Sequence, residues 1–195
     1  MKRSLLFRAL PVLVAAALAL TGCGSTSTAP SPAKDASTDL LTRFGLGGYD
    51  AVEVIDHLDR LGGADRPADL TASVRPSELQ LSAGDDKATL PIPDDRFYLS
   101  VAPYVDSTHE CFYHSLTTCK GELGGKAVHV RIEDTTHGTV LVDRDTTTFA
   151  NGFVGFWLPR DIEGTVRIGY DGRSAETTIS TDRSAPTCLT TLKLV

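Results

Sequence analysis

Two hydrophobic rhythms divide the chain. Between Asp39 and Leu61 apolar side chains recur at three- and four-residue intervals, and beyond Asp86 they alternate with polar ones. The first rhythm is that of amphipathic helices and the second that of half-buried strands. Asp39 to Phe44 predicts a short helical segment ending at Gly45. A second helix opens at Asp50, an N-cap with Glu53 three residues on in the capping-box arrangement. Val52, Ile55 and Leu58, or Val54, Leu58 and Leu61, give its apolar stripe, and Gly62-Gly63 supplies a left-handed stop. Pro67 and Pro76 interrupt the next stretch, so LTASVRPSELQLS predicts a mix of short strand and turn.

The later runs are RFYLSVAPYV, KAVHVRIED, GTVLVDRDT, GFVGFWLP, GTVRIGYD, SAETTIST and CLTTLKLV, rich in β-branched and aromatic residues. His137-Gly138, Asn151-Gly152, Glu163-Gly164 and Asp171-Gly172 punctuate them, the last a type I′ hairpin signal. About seven strands at this spacing predict an antiparallel sandwich. The fold class is therefore α+β: a small helical N-terminal region over residues 39–85, then an antiparallel β-sandwich-like domain over 86–195.

The N-terminus changes the setting. Lys2, Arg3 and Arg8 make a basic start, and ALPVLVAAALAL is an apolar run of the length of a signal core, short for a permanent span. It runs into Leu20-Thr21-Gly22-Cys23, the pattern of a bacterial lipobox. Residues 1–22 thus read as a lipoprotein signal peptide and Cys23 as the lipidated residue; the bland alternative is a secretory signal with an incidental cysteine. Residues 23–38, rich in Ser, Thr, Ala and Pro, read as a solvated tether. The expected location is extracytoplasmic, lipid-anchored to the cell membrane. Removing the signal takes away three basic residues and no acidic one, so the formal charge moves from −6 to −9. Such an acidic surface argues against nucleic-acid partners and against a polybasic membrane patch.

The chemistry concentrates in THECFYHSLTTCKGEL, Thr108 to Leu123, a polar loop with no Gly or Pro before Gly121. Loops of this length bind, catalyse or are stapled. With Cys23 assigned to lipid, Cys111, Cys119 and Cys188 remain, an odd number for an oxidising compartment. A Cys111–Cys188 disulfide would contribute about 4 to 4.5 kcal/mol in the chain-entropy model, and a Cys111–Cys119 disulfide about 2.5 kcal/mol. One staple with a leftover thiol is the structural reading. The functional one is a soft-metal site in which all three sulfurs act: Cu(I) prefers soft ligands at low coordination number. Zn(II) would take a fourth ligand, which His109 or His114 could supply.

The other histidines carry less. His57 falls on the second helix between Asp56 and Asp59 as a solvated residue, His129 alternates with apolar neighbours on the outer face of a strand, and His137 sits in a turn. Phe112, Tyr113, Phe153, Phe156 and Trp157 read as core. No nucleophile elbow, Walker loop, dinucleotide fingerprint or C-x-x-C is present, which leaves hydrolase, nucleotide and thioredoxin readings without support.

Three stretches, FYLSVAPYVDSTHECFYHSLTTCKGEL, NGFVGFWLP and PTCLTTLKL, make the sequence after the tether resemble the CueP family of bacterial periplasmic copper-binding proteins. The resemblance implies copper sequestration and tolerance, with copper passed to a client such as superoxide dismutase. The three family cysteines fall on Cys111, Cys119 and Cys188, and His109 and His114 lie in the matching motif. The lipobox implies a membrane-anchored version that handles copper in place.

The leading expectation is a Cu(I)-binding lipoprotein rather than an enzyme. A second is a thiol redox protein that reduces Cu(II) or exchanges disulfides, and a third is a stapled envelope domain. A C-terminal strand carrying one of three ligands also makes strand exchange in a homodimer conceivable.

Overall fold

The computed structural model describes residues 32–195, with side chains from residue 37. The spans read as signal peptide, lipidated Cys23 and most of the tether lie outside the described residues. Helix α1 (Pro32–Arg43) starts inside the span read as tether, seven residues ahead of Asp39. Helix α2 (Ala51–Leu58) carries the expected capping box: Asp50 Oδ1 accepts from Glu53 N and Glu53 Oε2 accepts from Asp50 N, each at 2.9 Å. The helix stops at Leu58, four residues short of Gly62. The turn tightens there: Leu61 N donates to Leu58 O, three residues back rather than four, and the Asp59 carbonyl accepts from Asn151 Nδ2 at 2.5 Å.

A three-stranded antiparallel sheet comes next, β1 (Thr71–Val74), β2 (Glu78–Ala83) and β3 (Asp86–Pro91), in that order. Strand β3 was not legible in DKATLP; it starts at Asp86, so the sheet it completes straddles the expected 85/86 boundary. Leu40, Leu46, Val54, Ile55, Leu58, Val74 and Leu79 pack the two helices on this sheet as a first core.

The seven expected strands are all present. Strands β4 (Arg96–Val101), β7 (Val154–Pro159) and β10 (Cys188–Leu189) form one sheet in the order β10-β4-β7. Strands β5 (Ala127–Asp134), β6 (Thr139–Thr147), β8 (Glu163–Tyr170) and β9 (Arg173–Ser180) form the other, ordered β6-β5-β8-β9. Asp171 and Gly172 both have positive φ, 50° and 75°, as a type I′ β8–β9 turn requires. One ladder departs from the antiparallel expectation: β10 runs parallel to β4, with Cys188 opposite Ser100.

Strand β4 is buried on both faces, which explains the position of the site. Phe97, Leu99 and Val101 enter the sandwich core with Val130, Ile132, Phe156, Val166 and Ile168. Tyr98 and Ser100 face the other way, towards the end of α2. No described helix is long and apolar enough to cross a membrane.

Candidate metal centre

The loop from Thr108 to Leu123 is pinned at both sides. Residues 114–116 add to the free edge of β1: Val74 N donates to His114 O at 2.8 Å and Leu116 N to Ala72 O at 2.9 Å. On the far side Thr187 N and Cys188 N both donate to Phe112 O. Thr187 Oγ1 closes the seam, donating to Val74 O and accepting from His114 N. Parallel pairing of β10 with β4 thus delivers Cys188 to the loop, and a single turn from Ser115 to Cys119 turns the second thiol back towards the first.

The result is a disulfide between Cys111 and Cys188, with Cα atoms 5.6 Å apart, and a buried free thiol at Cys119. Of the two pairings open from sequence, the longer loop is the one formed. The Cys119 sulfur lies 3.4 Å from that of Cys111, and the Cys188 sulfur 3.7 Å from His114 Nδ1. One donor atom from each of Cys111, His114, Cys119 and Cys188 lies within 4.8 Å of every other. A cleft of 590 Å³, lined by His109, Cys111, Phe112, Tyr113 and Cys119 among others, opens on this group.

His109 is not one of the four. Its Nε2 is buried without a hydrogen-bond partner, and its ring lies edge-on to Phe153. Phe112 corrects the core reading: it is 53 % exposed at the lip of the cleft, its ring against the half-buried Tyr113, because its carbonyl rather than its side chain is what β10 uses. Phe153 and Phe156 are core, and Trp157 is half-buried with Nε1 donating to Asp56. His57 and His129 are exposed, the latter bridging Asp143 and Asp145, and His137 pairs with Asp134.

Sequence reading missed Asp59, wholly buried and bonded to His114 Nε2 at 2.7 Å. Tyr98, Ser100 and Asn151 also donate to its carboxylate. The signal was available: Asp59 falls four residues after Ile55, on the apolar stripe of the helix, where a charge needs a partner.

Electrostatics follow from this burial. Burial would depress the His114 pKa, but the Asp59 charge and hydrogen bond override it and hold it at about 9. Burial likewise opposes the Cys119 thiolate. The His114 bond and charge, His109 and the Ser115 N–H outweigh it and bring the thiol down to about 7. Arg66 Nη1 donates to the Cys119 carbonyl, adding a cation nearby.

Three sulfurs and one imidazole, converging and mostly buried, are a soft donor set that fits Cu(I) and has the composition of a Cys₃His zinc site. Closed as a disulfide, Cys111 and Cys188 withhold two of those sulfurs, so full coordination requires reduction first.

The family model described as periplasmic copper-binding protein CueP matches residues 53–193. The crystal structure of S.CueP is similar to this chain with a TM-score of 0.76 and 40 % identity, over 81 % of this chain and 96 % of that one. No curated protein matches. A matching family model over most of the chain, the likeness to a solved member and a convergent thiol–imidazole cluster together place this chain in the CueP family of periplasmic copper-binding proteins.

Proposed function

We propose that the chain captures Cu(I) outside the cytoplasm, with Cys111, Cys119 and Cys188 as thiolate ligands and His114 Nδ1 as the imidazole donor. The observation that carries this reading is the mutual approach of those four donor atoms within 4.8 Å. His109 lies outside that group and serves the rim. Burial suits copper sequestration, because a metal held by thiolates away from solvent is kept from redox cycling. Lipid on Cys23 would hold the domain at the membrane surface, with copper passed to a client such as superoxide dismutase or kept in place. The lipobox in the sequence supports the anchor. Strand exchange through β10 is the route by which a homodimer would form.

The experiment is an anaerobic Cu(I) competition titration of the reduced mature protein. The expected result is one tightly held Cu(I) per chain, with thiol labelling blocked by the metal. Cys188→Ser should lose most of the affinity, and wild-type affinity in that variant would overturn the three-sulfur site. Zn(II) titrated against the same protein tests the second cargo that a Cys₃His set would accept.

The disulfide favours a second reading. Reduced Cys111 and Cys188 could each give one electron to Cu(II), forming their disulfide and two Cu(I). A binder stops after that one round, whereas a redox enzyme turns over when a thiol donor is supplied.

A further inference from the structure

One fully buried carboxylate touches the metal centre without belonging to the four-donor group. We infer that Asp59 is a positioning residue for metal capture: it holds the His114 proton on Nε2 and so leaves Nδ1 as the nitrogen that meets the metal. This rests on the reading of His114 as a ligand.

The assignment follows from hydrogen-bond chemistry. An ionised carboxylate can only accept, so the 2.7 Å contact between Asp59 Oδ1 and His114 Nε2 requires the proton on Nε2. The other ring nitrogen, Nδ1, is the one turned to the sulfurs, 3.7 Å from Cys188. Asp59 itself is saturated. Its Oδ1 accepts from His114 and from Asn151 Nδ2 at 2.9 Å, while Oδ2 accepts from Tyr98 Oη at 2.6 Å and Ser100 Oγ at 3.1 Å. Four donors leave the carboxylate neither a lone pair to offer a metal nor freedom to turn.

The supports of Asp59 are themselves fixed. Asn151 Oδ1 accepts from Phe153 N at 2.8 Å, and the Phe153 ring lies 4.5 Å from the His114 ring. The Tyr98 phenol passes over Gly155, where a Cβ would collide with its hydroxyl, so only glycine leaves that path open. A buried ion pair is weak evidence for stability, since apolar residues of similar volume often serve as well. A carboxylate behind a ligating histidine is, by contrast, the usual way to set its tautomer and orientation.

Two measurements test this. In the Cu(I)-loaded wild-type protein, nitrogen-15 spectra of His114 should show a protonated, exchange-protected Nε2 and a metal-bound Nδ1. Metal on Nε2 overturns the inference, and this needs no variant to fold. In competition titrations Asp59→Ala should weaken Cu(I) binding by about 10- to 100-fold. Asp59→Asn, which keeps an acceptor, should recover part of that loss. In a His114→Gln background Asp59→Ala should cost no further affinity; an undiminished loss there means a merely structural role and overturns the inference. Wild-type affinity in His114→Gln alone would instead remove the ligand reading beneath it.

Discussion

Reducing the Cys111–Cys188 disulfide should cost the domain a large share of its margin of stability, and Cu(I) should return it. The bond spans 77 positions and ties β10 to the loop that adds to β1, so it crosses from the sandwich to the helical part. Chain entropy for a loop of that length gives about 4.5 kcal/mol. For a domain of this size each kcal/mol moves the melting temperature by about 2–4 °C, so reduction should lower it by roughly 9–18 °C. A metal held by both sulfurs restores the same cross-link by other means. At a free Cu(I) concentration of 1,000 times Kd the gain is about 4.1 kcal/mol, nearly the whole loss. The assay is a set of anaerobic thermal melts of the oxidised, reduced and reduced copper-loaded forms. Melting of the reduced form within about 2 °C of the oxidised one would show that the tie contributes little. Failure of Cu(I) to raise the reduced form would show that the metal does not replace it.

Two further outcomes are expected. In the oxidised protein, alkylation of Cys119 should rise with a midpoint near pH 7, and His114→Gln should move that midpoint towards the ordinary thiol value, 9.0; the thiolate fraction at neutral pH would fall from about half to about 1 %. The stability that the lowered Cys119 pKa contributes is complete above pH 9.0 and lost as the pH falls through about 7, whereas that of His114 is complete below pH 6.5 and lost as it rises through about 9. An unmoved midpoint in His114→Gln would show that the imidazole does not set the thiol. Separately, Gly155→Ala should cost about 2–4 kcal/mol in denaturant unfolding, from overpacking against Tyr98 and a hydroxyl pushed off Asp59; an unchanged midpoint would contradict the close approach.

Much of this was legible because it rests on local rules. The capping box at Asp50 and the Asp171-Gly172 turn depend on residues next to each other, and the structure carries both. The alternation from Phe97 to Val101 announced a strand, but Tyr98 and Ser100 on its second face were the clue to a second buried layer. Cys111, Cys119 and Cys188 stood out by chemistry, and His114 joins them while His109 does not. Sequence spacing could not separate the two histidines, because the choice is made by an edge pairing to β1. The parallel direction of β10 and the pairing of Cys111 with Cys188 were equally out of reach, since both depend on where a segment more than seventy residues away docks.

Strand β4 has a consequence for how this protein can vary. Its two faces are one backbone: Leu99 fills the sandwich while its neighbours Tyr98 and Ser100 hold Asp59. A cavity opened at Leu99 lets the strand settle into the gap, and the hydroxyls on the reverse move with it. Drift in the oily interior is therefore read out at the polar pocket, and the two cannot evolve as separate compartments. A substitution in the sandwich that purifies, folds and melts acceptably could still be selected against, for the metal it no longer holds.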